Sequence, residues 1–576
     1  MNLSKIKTYF DSHTLEIVCF LMYIFVVVFT SMRHEFWYDE LQAYQISKDS
    51  IFNILFQVPH WEGHPPLWHL ILKFFTSLGF GLESTLRIPN LVFIISAIFL
   101  LMFKSPFPKV VRLLLPFTFF LVYQYAVICR PYSLFILEMF LLAYLYKTKN
   151  NHPIRYASIL ALTCLTHGYG LFITTVISIV WGLEIKANEK WLPFLKTFVK
   201  DKRFHCMVFL FVVCLLVLLE VRLAPDVFIS GTFNDVSFLY NMLYFFILLP
   251  SDMTIFNLLD YVVCFNSTTF VPTVILILDI IWGIFINIFL YSLFKKTSIS
   301  KLFYLMYFGF LVFVSQVYIY PHHIGVLLII VIFCFWCAYD DSPNLLVIKK
   351  WQKYVIALIL AVQCFWGVYD ICTDIQKDYF EAKSIAKYIQ INHLDDYKIS
   401  TAFPIKTVYI SDDFAYLNYK KIKKNELHKY HAEYYINVNF LPQEMMVNSY
   451  IGHNIFYNFN TLNPDKSYLL TYSPHPNDAK KTVEEWKRLG TPDIFITTKK
   501  AFGKGYCIEK FGDSKLTEFV FPLEIVWGED AKQSDYVPVK NFYQHMCFKN
   551  SSRNIVFTMY MKKDLYEKIK DTLKDK

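Results

Sequence analysis

The chain has 576 residues, of which 55% are hydrophobic, 19% aromatic and only 18% charged, with a mean hydropathy of +0.36. Soluble domains carry roughly 25% charged residues, so this composition excludes an ordinary water-soluble enzyme and points to a polytopic membrane protein. The net charge of +9 gives no reason to expect a nucleic-acid partner, and gains meaning only when its Lys and Arg residues are assigned to sides of a bilayer.

A spanning helix needs about 20 mostly apolar residues. Eleven segments meet or approach that length, near 14–32, 86–103, 110–129, 131–146, 155–166, 168–184, 204–223, 272–294, 301–320, 323–339 and 351–371. A twelfth patch, SFLYNMLYFFILLP at 237–250, is short and ends in proline, which predicts a re-entrant or interfacial segment. The first segment has no small-residue cleavage site and reads as a retained anchor. With the N-terminus inside, the inner loops and helix ends hold 20 Lys and Arg against 6 outside. By the positive-inside bias this places residues 33–85, 224–271 and everything after 372 beyond the cytoplasm. Ten of the twelve cysteines lie in the membrane half as small apolar fillers. Only Cys507 and Cys547 lie in the outer domain, where an oxidising compartment would let them pair.

The outer loop 33–85 opens with FWYDELQ, directly after an apolar helix. Its Trp and Tyr suit the headgroup level. Its adjacent acids, Asp39 and Glu40, cost several kcal/mol at membrane depth unless they face a wet cavity. The loop continues through DSIFNILFQV and HWEGHPPLWHLILKFF, which predicts two amphipathic helices at the interface joined by a polar hinge. Asp39 followed three residues later by Gln42 matches a capping box, a structural role that can coexist with a chemical one. Glu62, His64 and the double proline Pro65-Pro66 stand across the loop. Near other outer helix ends lie Arg87, Arg130, Arg222, His167, His322 and His323. Arg130 interrupts an apolar run and is followed by Pro131 and Tyr132. A guanidinium suits forked binding of phosphate oxygens, whereas snorkelling to headgroups is its bland alternative. Asp39, Glu40 and His64 would also suit a divalent metal such as Zn²⁺ or Mn²⁺, although no motif requires a cofactor.

WYDE, then GHPPLWHLILKFF, then ESTLRIPNLVFII, followed by RPY at 130–132, His167 and His322-His323, resembles in order and topology the integral-membrane glycosyltransferases of the GT-C superfamily. The similarity is greatest to the branch of protein O-mannosyltransferases and lipid A aminoarabinose transferases, and covers roughly residues 10–390. It implies a polyprenyl-phosphate-linked sugar as donor and the first-loop acid, Asp39, as general base, with Glu40 orienting a neighbouring group. Arg130, Arg87, His64, His167, His322, His323 and Tyr132 are the expected contacts to donor phosphate and sugar. The acceptor would be a glycan, lipid or protein, and the setting a bacterial inner membrane with its site facing outward.

The resulting expectation is an α-helical polytopic membrane domain over 1–372, with about eleven spans, followed by a soluble mixed α/β extracytoplasmic domain over 373–576. In the latter, residues 375–393 have helical periodicity, with Phe380, Ile385 and Ile389 on one face. KTVYI, YYINVNF, NIFYNF, YLLTY, DIFITT, FVFPLEIVW and NIVFTMYM read as strands, and TVEEWKRL as a helix. Two other readings remain: a lipid or glycolipid transporter, for which Glu138 and Asp279 would be the intramembrane charges, and a prenyl-lipid-dependent polysaccharide ligase or polymerase.

Overall fold

The computed structural model describes residues 3–186, 199–222, 238–257, 273–316, 321–341, 344, 346–401, 405–411, 416–417, 430–436, 443–457, 484, 486–498, 506–509, 517–520, 522–549 and 551–575. Among them, seven helices are long and apolar enough to cross a membrane: His13–Arg33, Leu82–Lys104, Gly168–Lys186, Lys202–Glu220, Val274–Phe294, Pro321–Asp341 and Lys350–Gln376. Shorter apolar helices, Tyr132–Leu145, Pro153–Thr166, Phe238–Thr254 and Ser300–Gln316, pack between them. The molecule is thus a helical membrane protein, in which seven of the described helices reach full spanning length.

The expected span over 110–129 is not a continuous helix. Lys109–Leu114 forms a short helix, Leu115–Phe117 a tight turn and Phe120–Gln124 a π-helical turn. Broken backbone is tolerated at membrane depth only inside protein, where other groups take up its hydrogen bonds. Residues 118–129 are buried throughout. Tyr23 OH donates to the Leu121 carbonyl at 2.7 Å, Asn90 Nδ2 to the Ala126 carbonyl at 2.8 Å, and the Cys129 N–H donates to Glu40 at 2.6 Å. Apolarity alone could not separate this buried, bent segment from a lipid-facing helix.

The patch 237–250 is helical from Phe238 on. It belongs to a helix, Phe238–Thr254, packed against the helices that begin at Thr273, Ser300 and Ile324. Pro250 lies inside it, and the free carbonyls at its end find donors on the last long helix. Gln363 Nε2 donates to the Met253 and Thr254 carbonyls, and Trp366 Nε1 to that of Ile255. Beneath this junction a cavity of about 130 Å³ is lined by apolar side chains including Phe107, Met253, Leu290, Leu328, Phe335 and Leu360.

After Gln376 a helix at Ala382–Ile391 buries Ile385 and Ile389, as its periodicity predicts. The strands are β1 (Ile399–Thr401), β2 (Ile405–Ser411), β3 (Tyr416–Leu417), β4 (Tyr430–Ile436), β5 (Ile494–Thr498), β6 (Tyr506–Glu509), β7 (Thr517–Val520), β8 (Tyr536–Phe548) and β9 (Ser551–Lys562). The main sheet runs β1-β5-β9-β8, parallel only between β1 and β5. FVFPLEIVW, expected as one strand, divides into the end of β7 and a helix at Pro522–Trp527, whose first position suits proline. YLLTY lies outside the described residues.

The β8–β9 hairpin reaches into the membrane bundle. Phe548 packs edge-on against Phe119 with ring centroids 5.0 Å apart, and Asn257 Nδ2 donates to its carbonyl at 3.0 Å. Lys549, at φ 54 and fully buried, donates its N–H to Asp370 Oδ2 at 2.7 Å. Its ammonium donates to the carbonyls of Asp252 and Phe256, a cation at the C-terminal end of the Phe238–Thr254 helix, where it is favoured. Burial pushes the Lys549 ammonium down to about 8, against the opposing pull of Asp252, Asp370 and Asp279. Cys547 carries a free, buried thiol 3.3 Å from Tyr123 OH. The pairing with Cys507 that an oxidising compartment would allow is not made, because the hairpin delivers Cys547 into the bundle.

Candidate active site

Four short helices stand where two were expected: Tyr38–Ser47, Ile51–Phe56, Val58–Glu62 and Leu67–Ser77. Ser50 caps the second by accepting the Asn53 N–H, and Gly63 at φ 66 ends the third before the double proline. The first of them is capped by Glu40, whose Oε2 accepts the Trp37 N–H at 3.0 Å. The cap therefore lies two residues earlier than the Asp39/Gln42 pattern suggests. That frame releases Asp39 from structural duty and leaves it in the first helical turn, where the helix dipole favours an anion. Gln42 instead donates to Glu62 Oε1 at 3.0 Å, and His69 Nε2 lies 3.0 Å from Glu62 Oε2.

Arg130 meets Asp39 twice. Its Nη1 donates to the Asp39 carbonyl at 3.1 Å, and its Nη2 lies 3.4 Å from Oδ2. The Asp39 side chain keeps 27% of its surface exposed. Burial pushes the Asp39 carboxyl above its usual range; Arg130 opposes this while Glu62 and Glu40 add to it. Glu62 is held below its usual range: burial works the other way, but His69, His64 and Arg130 outweigh it.

Around this pair the aromatic residues form a chain of ring contacts. Trp37 meets His322 at 5.7 Å, His322 meets Tyr132 at 6.5 Å, Tyr132 meets His167 at 5.1 Å, and His167 meets His64 at 5.0 Å. His323 lies 6.2 Å from both Tyr132 and His167, and its Nδ1 is 2.9 Å from Tyr169 OH. Burial, reinforced by Arg130, pushes the His64 imidazole down to about 4, so it is neutral near pH 7. His167 Nδ1 accepts the Tyr169 N–H at 3.2 Å, which leaves its other nitrogen, Nε2, carrying the hydrogen. That nitrogen and Trp37 Nε1 are two buried donors with no acceptor among the described residues. Asp39, Arg130, His64, His167, His322, His323 and Tyr132 thus gather at one end of the bundle. Trp37, Tyr169 and Glu62 join them; Trp37 stood within the quoted motif, but nothing in the sequence set Tyr169 apart from other tyrosines.

Two expected members do not join. Glu40 is fully buried and turned away into the bundle, its oxygens occupied by Trp37, Cys129 and His34. Arg87 pairs with Glu83 at 2.6 Å, donates to the His34 carbonyl at 3.2 Å and lies over the Phe36 ring. Of Arg222, the backbone carbonyl is engaged, by His60 at 2.8 Å. No group of three His, Cys, Asp or Glu side chains fit to hold a metal occurs among the described residues, because Glu40 leaves the set that Asp39 and His64 would need. Glu138, an intramembrane acid, accepts from Thr166 at 2.7 Å. No protein-family model matches the chain, and comparison with curated proteins likewise returned no match.

Proposed function

We propose that this protein is a membrane-embedded glycosyltransferase of the GT-C type, moving a sugar from a polyprenyl-phosphate donor to an acceptor hydroxyl or phosphate at the outer membrane face, with Asp39 as general base. The observation that carries the reading is the Asp39–Arg130 pair beside two buried donors that lack acceptors among the described residues. A carboxylate held above its ordinary pKa and partly exposed is suited to taking a proton from a hydroxyl. As the acceptor oxygen bonds to the anomeric carbon, the bond from that carbon to the phosphate oxygen breaks. The phosphate keeps the electron pair and needs cations and N–H donors placed where its charge develops. Arg130, His167 Nε2 and Trp37 Nε1 are of that kind. One base and a ready leaving group suffice for displacement with inversion, unlike the two carboxylates needed for glycoside hydrolysis. Flat rings from Trp37, Tyr132 and the histidines suit the faces of a sugar.

The apolar cavity supports a prenylated donor. Leu328, on its wall, follows His323 by five residues in the sequence, a rise of about 7.5 Å along a helix. A hydrocarbon tail there would place its phosphate near the histidines. The biased Lys and Arg distribution supports an outward-facing site and a C-terminal domain beyond the cytoplasm. In proteoliposomes supplied with a prenyl-phosphate sugar, Asp39→Asn should leave the protein inserted and reduce transfer about 10²–10⁴-fold. Transfer near the wild-type rate would remove Asp39 from the mechanism. Arg130→Ala should raise the apparent donor KM more than the acceptor KM.

A further inference from the structure

We infer that Glu40, His34 and Asp374 form a buried ionic tie that positions Asp39 and Arg130 without touching substrate. The inference rests on the reading of Asp39 as base and Arg130 as its partner. His34 follows directly on the first long helix, and its ring is clamped between two acids: Nε2 lies 3.2 Å from Glu40 Oε2 and Nδ1 2.9 Å from Asp374 Oδ2. The side chains of all three are at most 1% exposed. A neutral imidazole has only one N–H, whereas two carboxylates ask for two donors, so the ring is doubly protonated. The same conclusion follows from its titration: burial alone would lower it, but Asp374 and Glu40 push it up to about 10.

Glu40 passes this constraint to the site through two backbone bonds. Oε2 takes the Trp37 N–H at 3.0 Å, and Oε1 takes the Cys129 N–H at 2.6 Å. Trp37 lies two residues before Asp39, and Cys129 immediately before Arg130. One carboxylate therefore sets the spacing between the two backbone segments that carry the reacting pair, and Arg130 Nη1 on the Asp39 carbonyl closes the ring. Asp374 ties the arrangement to the last long helix. The other groups facing His34 are the Tyr379 ring at 4.7 Å, Arg87 through the His34 carbonyl, and the neighbouring Glu35. Those acting on Asp39 are Arg130, Glu62 and Glu40 itself. Sites hold their geometry only when the supporting layer is fixed, and a displacement near 1 Å can cost about 10²-fold in rate.

Glu40→Gln is the direct test, in the full-length protein reconstituted in bilayers. An amide has one acceptor oxygen and an NH₂ donor, so it cannot serve Trp37, Cys129 and His34 together. Expected are a fall in kcat of about 10–100-fold, an apparent donor KM within about twofold of wild type, and an acidic limb of the pH–rate profile moved to higher pH. The limb moves because Arg130, drifting away, no longer offsets the burial of Asp39; loss of the Glu40 charge works the other way, but it is the smaller of the two influences. Amide hydrogen exchange should quicken in peptides spanning 36–42 and 127–132 and nowhere else in the bundle. A lower rate with an unmoved pH profile, or unchanged local exchange, would overturn the tie. If Glu40→Gln does not accumulate, Asp374→Asn carries the test: Glu40 keeps both backbone bonds but loses its anchor on the last long helix, so Arg130 loosens less and the limb should move in the same direction by a smaller amount. Local loosening in a protein that transfers no sugar in wild-type form would sink the glycosyltransferase reading alone. Loss of transfer in Asp39→Asn with normal Glu40→Gln kinetics would sink the tie alone.

Discussion

The clamped imidazole makes stability depend on pH in a direction that can be calculated. The folded value of His34 lies near 10, above the ordinary 6.5. Folding therefore takes up a proton between these values, and stability present below 6.5 is lost as pH rises toward 10. The slope for one proton is about 1.4 kcal/mol per pH unit. Asp374→Asn removes one of the two acids, which lowers the upper end of that window, and breaking a buried pair costs roughly 3–5 kcal/mol at neutral pH. Lys549 runs the other way: it titrates near 8 in the fold and near 10.5 outside it, so its contribution grows with pH across that range. The wild-type curve alone mixes the two; the difference between wild type and Asp374→Asn isolates His34. Unfolding midpoints followed by tryptophan fluorescence in detergent should therefore separate most near pH 7 and converge by about 2 °C per pH unit in the alkaline range. Parallel curves from pH 7 to 10 would refute the protonated bridge.

Other perturbations bear on the site and its frame. The acidic limb of the pH–rate profile should lie above the ordinary carboxylate range, because Asp39 must be ionised to act, and Arg130→Gln should move it higher still; an unmoved limb would dissociate the two residues. Gly170→Ala and Gly283→Ala should each destabilise by more than about 1–3 kcal/mol, since the added methyl meets the Thr163 or Ile247 carbonyl on the neighbouring helix; wild-type melting would show that these helices have room to part. Lys549→Met should free the hairpin and expose the C-terminal domain to limited proteolysis in proteoliposomes, whereas an unchanged digestion pattern would mean that Phe548 packing alone holds it.

The parts of this molecule legible in its sequence are those governed by composition and short-range pattern. Apolar runs located the helices, and the acids after the first run led to the Asp39 neighbourhood because charge near lipid needs a reason. What the sequence could not carry is geometry set by distant partners. The Asp39/Gln42 spacing satisfied the capping pattern, but Glu40 won the role because it could also reach Cys129 and His34, which only the folded chain brings near. The broken stretch 115–129 looks apolar and helical since its partners, Tyr23 and Asn90, sit on other helices. Arg87 and Arg130 both read as cations at helix ends, Arg130 more pointedly because it breaks an apolar run, and packing separates the one that braces His34 and Phe36 from the one beside Asp39. Cys547 was read from its compartment, yet a hairpin carries it into the bundle.

The placement of Lys549 has a consequence for how the protein is made. Asp252 and Asp370 are synthesised long before the ammonium that lies among them, and until Lys549 has been made their corner of the bundle lacks its cation. Closing that corner waits on the β8–β9 hairpin. Shortened forms that stop before β8 should insert their helices but never close that corner, giving quality-control proteases a way to recognise an unfinished chain.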